Sequence, residues 1–465
     1  DFDTALSYYK RALSIRKKIF STDHLSFAKS YLRLGNIPIL LVKNNNYDTS
    51  IAYYLKSLDI IEKKLGKRHF KTENYYFNIG LTYYRKQEYD KAIQYLNQAL
   101  KIVEKKYGKD RIQSTKSFEV LGKLYRDIGK YDKAIFYSEK NISILKRNSK
   151  KKYDRLIEAI NAMGIIYKRK GEYDKALHYY KQVVNIFKTP SNNIKKSLSD
   201  IYNNIGVIYK YKGKYNKALE YLQKALISIP NAFGENHSTT AVRYNNIANV
   251  YRLKKEFKKA IPFYYKALRI REKIFNHDHS EISDSYHDLG KLYIDLGEYD
   301  KSLTHFTEAL SIRTNIYGKE HPLIADSYSS LGDIYFDKKD YVNALSYYQK
   351  SLTIRLVIFN THHPKVAQSY NAIAKVHQAQ NNHTKSLSFF NKAIKANKNL
   401  QKQDGTAHYY DLNILLSSLQ RKAKVYNLLY QQDQNQEHLT KAIAIYQQAD
   451  VLIDQIRGTY TAYQD

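Results

Sequence analysis

Four asparagines fall on one phase of a long interval. Asn161, Asn203 and Asn245 are 42 residues apart, and Asn371 lies three intervals beyond Asn245, with His287 and Ser329 in the places between. A carboxamide carries N–H donors and a carbonyl acceptor, the complement of a main-chain amide. A row of them can hold the backbone of an extended peptide whatever its side chains. Cations run beside the row. Lys168, Lys210 and Arg252 each follow their asparagine by seven residues, with Arg85, Arg126 and Arg169 nearby in phase and Lys123, Lys291 and Lys375 on a further phase. Such charges would favour an acidic or polar segment. Asp295, Asp333 and Asp337 make the later part of the chain more acidic. The plainer alternative is that asparagine tolerates a helix surface and that basic residues occur throughout this chain.

Histidines also recur in phase, at His24, His69, His237, His279, His321 and His363. A metal site needs its ligands about 2 Å from one ion, whereas residues one structural repeat apart are separated by helix packings of roughly 8–10 Å each. Packing or capping of the next helix is the expected role, and no metal or other cofactor is expected. The chain has no Cys, which excludes a disulfide framework and a cysteine nucleophile within it. It contains no Gly-rich phosphate loop, HExxH pair or nucleophile elbow. The expectation is a non-enzymatic chain.

The formal charge is +33 at pH 7, which admits nucleic acid as a rival ligand. The chain is rich in Lys, Asn, Tyr and Ile together, a bias that an AT-rich genome imposes whatever a protein does, and lysines on outer helix faces are commonly just solvated. Nucleic acid is therefore the weaker reading. No apolar run approaches the ~20 residues of a membrane helix, and no secretory signal opens the chain, so a cytoplasmic location without membrane contact is expected.

The elements that must position these residues are short amphipathic helices. Asp200–Ile227 reads as a hairpin: Tyr202, Ile205, Gly206 and Tyr209 make one stripe, Tyr215, Ala218, Leu222 and Ala225 another, with a turn at Lys212-Gly213-Lys214. The aromatic opening the second helix recurs every 42 residues from Tyr47 through Tyr89, Tyr131, Tyr173, Tyr215, Phe257, Tyr299 and Tyr341, and His383 takes the next place. The small residue of the first helix recurs as Gly80, Gly122, Gly164, Gly206, Ala248, Gly290, Gly332 and Ala374. One hairpin cannot bury its own apolar face, so copies must stack.

This pattern resembles the tetratricopeptide repeat (TPR), and the YNNIG and YNNIA strings resemble repeats of the kinesin light chain type. The resemblance implies an all-α, right-handed superhelical solenoid of antiparallel helix hairpins. It also implies that Asn161, Asn203, Asn245, Asn371, Lys168, Lys210, Arg252 and Lys291 point into a concave, peptide-binding groove. One solenoid is expected over 1–465, with irregular first repeats over 1–46, regular 42-residue repeats over 47–382, and irregular C-terminal repeats and a cap over 383–465. Residues 1–5 already match the start of a second helix, so the chain is expected to begin inside a longer protein. Pro38 predicts an irregular helix around Asn36 to Asn46. A link is expected over Gln431 to Glu437, with the last helix starting near His438. The final stretch, AIAIYQQADVLIDQIRGTYTAYQD, resembles the junction of bacterial TPR proteins that lead into a caspase-like CHAT protease domain.

The function expected is a scaffold or sensor arm for a protein or extended peptide, regulating or recruiting to an output domain outside this chain. The rivals are a regulator that closes around a signalling peptide and a nucleic-acid-binding solenoid.

Overall fold

The computed structural model describes residues 2–20, 24–40, 47–148, 153–186, 192–229, 236–399 and 409–461. These are almost wholly helical, with no strands among the described residues beyond an isolated bridge between Lys398 and Tyr409. The chain divides into two units, Asp1–Lys212 and Gly213–Asp465.

The first unit opens with α1 (Phe2–Ile19). Its first-of-hairpin helices are α2 (Leu25–Leu40), α4 (Glu73–Arg85), α6 (Thr115–Asp127), α8 (Tyr153–Lys170) and α10 (Asn192–Tyr211), and the returning helices are α3 (Tyr47–Leu65), α5 (Tyr89–Tyr107), α7 (Tyr131–Arg147) and α9 (Tyr173–Ile186). In the second unit the returning helices are α11 (Tyr215–Ile227), α13 (Phe257–Ile274), α15 (Tyr299–Tyr317), α17 (Tyr341–Phe359), α19 (His383–Ala396) and α21 (Gln436–Thr461). The first helices there are α12 (Ser238–Leu253), α14 (Ser280–Asp295), α16 (Pro322–Asp337), α18 (Pro364–Ala379) and α20 (Leu412–Asp433). Each aromatic of the 42-residue series, and His383, is the first residue of its returning helix.

The turn that sets this register recurs in eight successive hairpins. Its left-handed residue recurs at Gln87, Gly129, Gly171, Gly213, Lys255, Gly297, Lys339 and Asn381. The next N–H bonds back to the carbonyl five residues earlier, as Glu88 to Tyr83, Lys130 to Tyr125, Glu256 to Tyr251 and Asn382 to His377. This is a Schellman closure, and glycine meets its positive φ without a Cβ penalty.

Inside a hairpin the small residue of the first helix lies against the large residue 16 positions on. A Cβ on Gly164 would stand 2.3 Å from the Tyr180 ring, and one on Gly332 would stand 2.6 Å from the Tyr348 ring. The core alanines Ala92, Ala134, Ala176, Ala218, Ala260 and Ala344 are fully buried. Ser302 and Ser386 take the same place and donate their hydroxyls to Gly290 O at 2.8 Å and Ala374 O at 2.9 Å.

Two local expectations need correction. The helix around Asn36 is regular, because α2 runs through Pro38 to Leu40. Leu34 and Ile37 are buried and Gly35 sits against the Tyr54 ring, so tertiary packing holds a turn whose final residues alone would favour breaking. Residues 41–46 lie outside the described part. The link expected at Gln431–Glu437 is only Gln434 and Asn435, since Gln434 adopts a left-handed conformation (φ 54°) that ends α20 and α21 begins at Gln436. Residues 149–152, 187–191 and 400–408 also lie outside the described part.

Candidate functional site

The first helices carry the candidate residues. In the first unit α4 touches α6, α6 touches α8, and α8 touches α10, so these helices form one continuous row. Asn161 and Lys168 on α8, and Asn203 and Lys210 on α10, are all partly buried. Asn161 Oδ1 accepts from Asn204 Nδ2 at 3.0 Å, a carboxamide link between adjacent repeats.

The electrostatics of this row centre on Lys168. Burial holds its ammonium below the usual lysine range, and Arg169, Lys210 and Arg126 depress it further. Among the described residues Lys168 forms no ion pair. The nearby carboxylate, Asp127, is already engaged: its Oδ1 takes Arg126 at 2.9 Å and Arg169 at 3.1 Å, and its Oδ2 takes the Tyr84 hydroxyl at 2.5 Å. Asp127 thus serves two of the cations that act on Lys168.

The second unit arranges the equivalent positions differently. Arg252 on α12 pairs with Asp295 on α14 at 2.6 Å, Lys291 lies 3.9 Å from Asp288, and Asn245 Nδ2 donates to Asp288 at 2.8 Å. Asn371 on α18 is bonded to Ser418 on α20 at 2.8 Å. Asn245 Oδ1 and Arg252 Nε are buried without a partner. His287, in the place an asparagine holds elsewhere, is pushed down to about 3 by burial, aided by Lys291 and Arg313. Burial raises Asp333, which takes the Tyr348 hydroxyl at 2.6 Å. Arg252 is neutralised by the next repeat and Lys291 faces a carboxylate of its own helix, whereas Lys168 has neither among the described residues.

The six phased histidines cap helices. In each, Nδ1 accepts the backbone N–H two residues on: Ser26, Lys71, Thr239, Glu281, Leu323 and Lys365. Four of them also stack on the aromatic four residues earlier, His279 on Phe275 with ring centroids 3.7 Å apart. No cluster of three or more metal-ligating side chains occurs among the described residues.

Sequence reasoning missed a set of buried arginines. Arg271, Arg313 and Arg355 reach the serine 14 residues on, Ser285 at 2.5 Å, Ser327 at 2.8 Å and Ser369 at 2.8 Å, and Arg16 reaches Ser30 in the same way. The signal was present as an Ile-Arg pair, then the phased histidine, then Ser-Tyr or Ser with a following apolar position. It passes unnoticed when arginine is assumed to be solvated.

Models of the tetratricopeptide repeat match residues 39–105, 112–189, 197–273, 239–315, 281–355 and 323–399. The chain belongs to the tetratricopeptide repeat family. No curated relative matches this TPR chain. Among solved structures it is similar to the apo form of the quorum sensor NprR from B. thuringiensis, with 15% identity over 74% of this chain and 92% of that one and a TM-score of 0.53. BtubC (BKLC) from P. vanneervenii matches at 22% identity over 50% of this chain and 94% of that one, TM-score 0.45. A kinesin light chain from Podosopora anserina with nearly identical TPR-like repeats matches at 16% identity over 43% and 95%, TM-score 0.39. No described helix is long and apolar enough to cross a membrane.

Proposed function

We propose that this TPR chain is a non-catalytic, cytoplasmic scaffold that binds an extended segment of a partner protein along its first helices. The acidic part of that segment lies at Lys168. The observation that carries this reading is the partly buried ammonium of Lys168, which has no ion pair among the described residues and feels the charges of Arg169, Lys210 and Arg126, the first and last of these already paired with Asp127. A charge held in that setting destabilises the fold unless an anion arrives, which is the usual mark of a binding position. Asn161 and Asn203 would hold backbone beside it, Asn161 releasing Asn204 to do so. As a recruitment arm the scaffold would serve an output domain, and the C-terminal resemblance makes a CHAT protease the candidate.

The test is Lys168→Met measured twice. Fluorescence anisotropy with a synthetic Glu-rich peptide should show binding weakened by on the order of tenfold or more, the worth of one charge-assisted hydrogen bond. Denaturant unfolding at pH 7 should show the same variant more stable than the parent. The sign follows from linkage: a lysine whose folded pKa is depressed is a stability cost at neutral pH, relieved as pH rises from that pKa toward the ordinary value near 10.5. Unchanged peptide affinity sinks the reading. Tighter binding to an RNA oligomer, with affinity falling linearly in log salt and no competition by the peptide, favours the nucleic-acid rival.

A further inference from the structure

The regular links between hairpins are short, as at 360–363 between α17 and α18, but fifteen residues, 397–411, separate α19 from α20. A cavity of about 1240 Å³ lies among α19, α20 and α21. Ile394, Leu412, Leu415, Leu419 and Leu452 supply its apolar lining, beside the carboxamides of Asn391, Gln447, Gln448 and Gln455. Three lysines, Lys395, Lys398 and Lys422, stand around it, and among the described residues no carboxylate lines it. None of these lysines makes an ion pair among the described residues. Burial holds Lys422 below the usual lysine range, with no opposing charge acting on it.

Size and charge together select the occupant. The volume exceeds the roughly 300–1,000 Å³ of ordinary small-molecule pockets, so a peptide element fits better than a metabolite. An apolar lining between helices takes the apolar stripe of a helix, read at i, i+3, i+4 and i+7. Unpaired ammonium groups on its margin require carboxylates on the flanks of that stripe. We infer that the α19–α21 cavity is a second docking site, for an amphipathic helix of a partner bearing Asp or Glu beside a Leu-type apolar face. It is independent of the extended-segment site at Lys168.

The chain contains no Trp, so Val451→Trp, on the cavity wall and 60% exposed in the parent, provides a single emission reporter. The probes are a synthetic helical peptide with Leu at i, i+3, i+4 and i+7 and Glu on both flanks, its Lys-for-Glu counterpart, and dodecanoate. The Leu/Glu peptide should shift the emission saturably. Lys395→Glu with Lys422→Glu should weaken it by on the order of tenfold or more. Labelled-peptide anisotropy with the parent chain should agree. Lys168→Met and Asn161→Ala should leave this binding unchanged, which separates its fate from that of the first site. The inference is overturned by no saturable response in protein of unchanged circular dichroism, by equal affinity for the Lys-bearing peptide or in the charge-reversed variant, or by saturation with dodecanoate alone.

Discussion

Arg313 offers a direct test of how one repeat is fastened to the next. Its side chain is 3% exposed, donates to Ser327 at 2.8 Å and pairs with Asp284 at 2.9 Å, while its Nε has no partner. Truncation to Ala would ordinarily strand both partners, at 3–5 kcal/mol for a broken buried pair. Here neither is stranded. Ser327 also donates to Leu323 O at 3.0 Å, and Asp284 is 59% exposed and rehydrates. The loss is then mainly packing, about 2–4 kcal/mol for a large buried side chain cut to Ala. Arg313→Met keeps most of the volume and removes the unsatisfied Nε, so it should cost no more than about 1 kcal/mol. Because repeat arrays unfold by neighbouring interfaces rather than as one block, hydrogen exchange across α15 and α16 is the appropriate assay, with global denaturation as a check. Equal loss of protection in the Ala and Met variants would refute the packing argument and return the stabilisation to the charge network. No loss in either would refute the view that this arginine fastens the repeats at all.

Other outcomes follow from the same geometry. Gly332→Ala should destabilise by about 1–3 kcal/mol, because its Cβ would meet the Tyr348 ring at 2.6 Å, whereas Gly122→Ala meets only the Ser138 hydroxyl at 2.9 Å and should cost less; thermal unfolding ranks the two. Lys339→Gly should stabilise by up to about 1 kcal/mol by removing Cβ strain, since Lys339 sits at φ 61° in a turn where Gly297 sits at φ 75°; Lys339→Ala, which keeps the Cβ, should not. His287 is neutral in the fold down to about 3, against an ordinary 6.5. The unfolded chain therefore takes up the proton first, and stability present above pH 6.5 is lost as pH falls toward 3. His287→Asn, the residue of the preceding repeat (Asn245), should flatten that part of the pH–stability curve measured by urea denaturation.

What the sequence disclosed about this molecule is what repeats. The aromatics, the small residues and the capping histidines each serve one contact many times, so their period alone reveals them. The candidate site is legible only in part. Asn161, Lys168, Asn203 and Lys210 are found by phase, but phase cannot say that Arg252 is neutralised by Asp295 while Lys168 has no ion pair among the described residues. That depends on which residue of the next repeat faces each cation, a contact 42 or 43 positions away. The open cavity beside α20 was invisible for the opposite reason: it arises where the period stops, from residues that repeat nothing.

The buried arginines also limit how such an array can grow by duplication and recombination. Each arginine at the end of a returning helix, Arg16, Arg271, Arg313 or Arg355, faces a serine at the start of the next hairpin. Where that end is apolar, as at Ile61, Val103 and Leu145, the residues in the serine's place are Tyr75, Ser117 and Ala159, and the buried Ser117 hydroxyl lacks a partner. An unequal crossover that places an arginine end before Ala159 or Tyr75 would bury a guanidinium with no serine to receive it, whereas an apolar end can precede Ser117 and leave only one hydroxyl unmet. The array therefore has a rule of succession. Modules bearing arginine can be copied in tandem, but they cannot be inserted anywhere in the chain, and lineages that lengthen this protein should do so within the arginine–serine series.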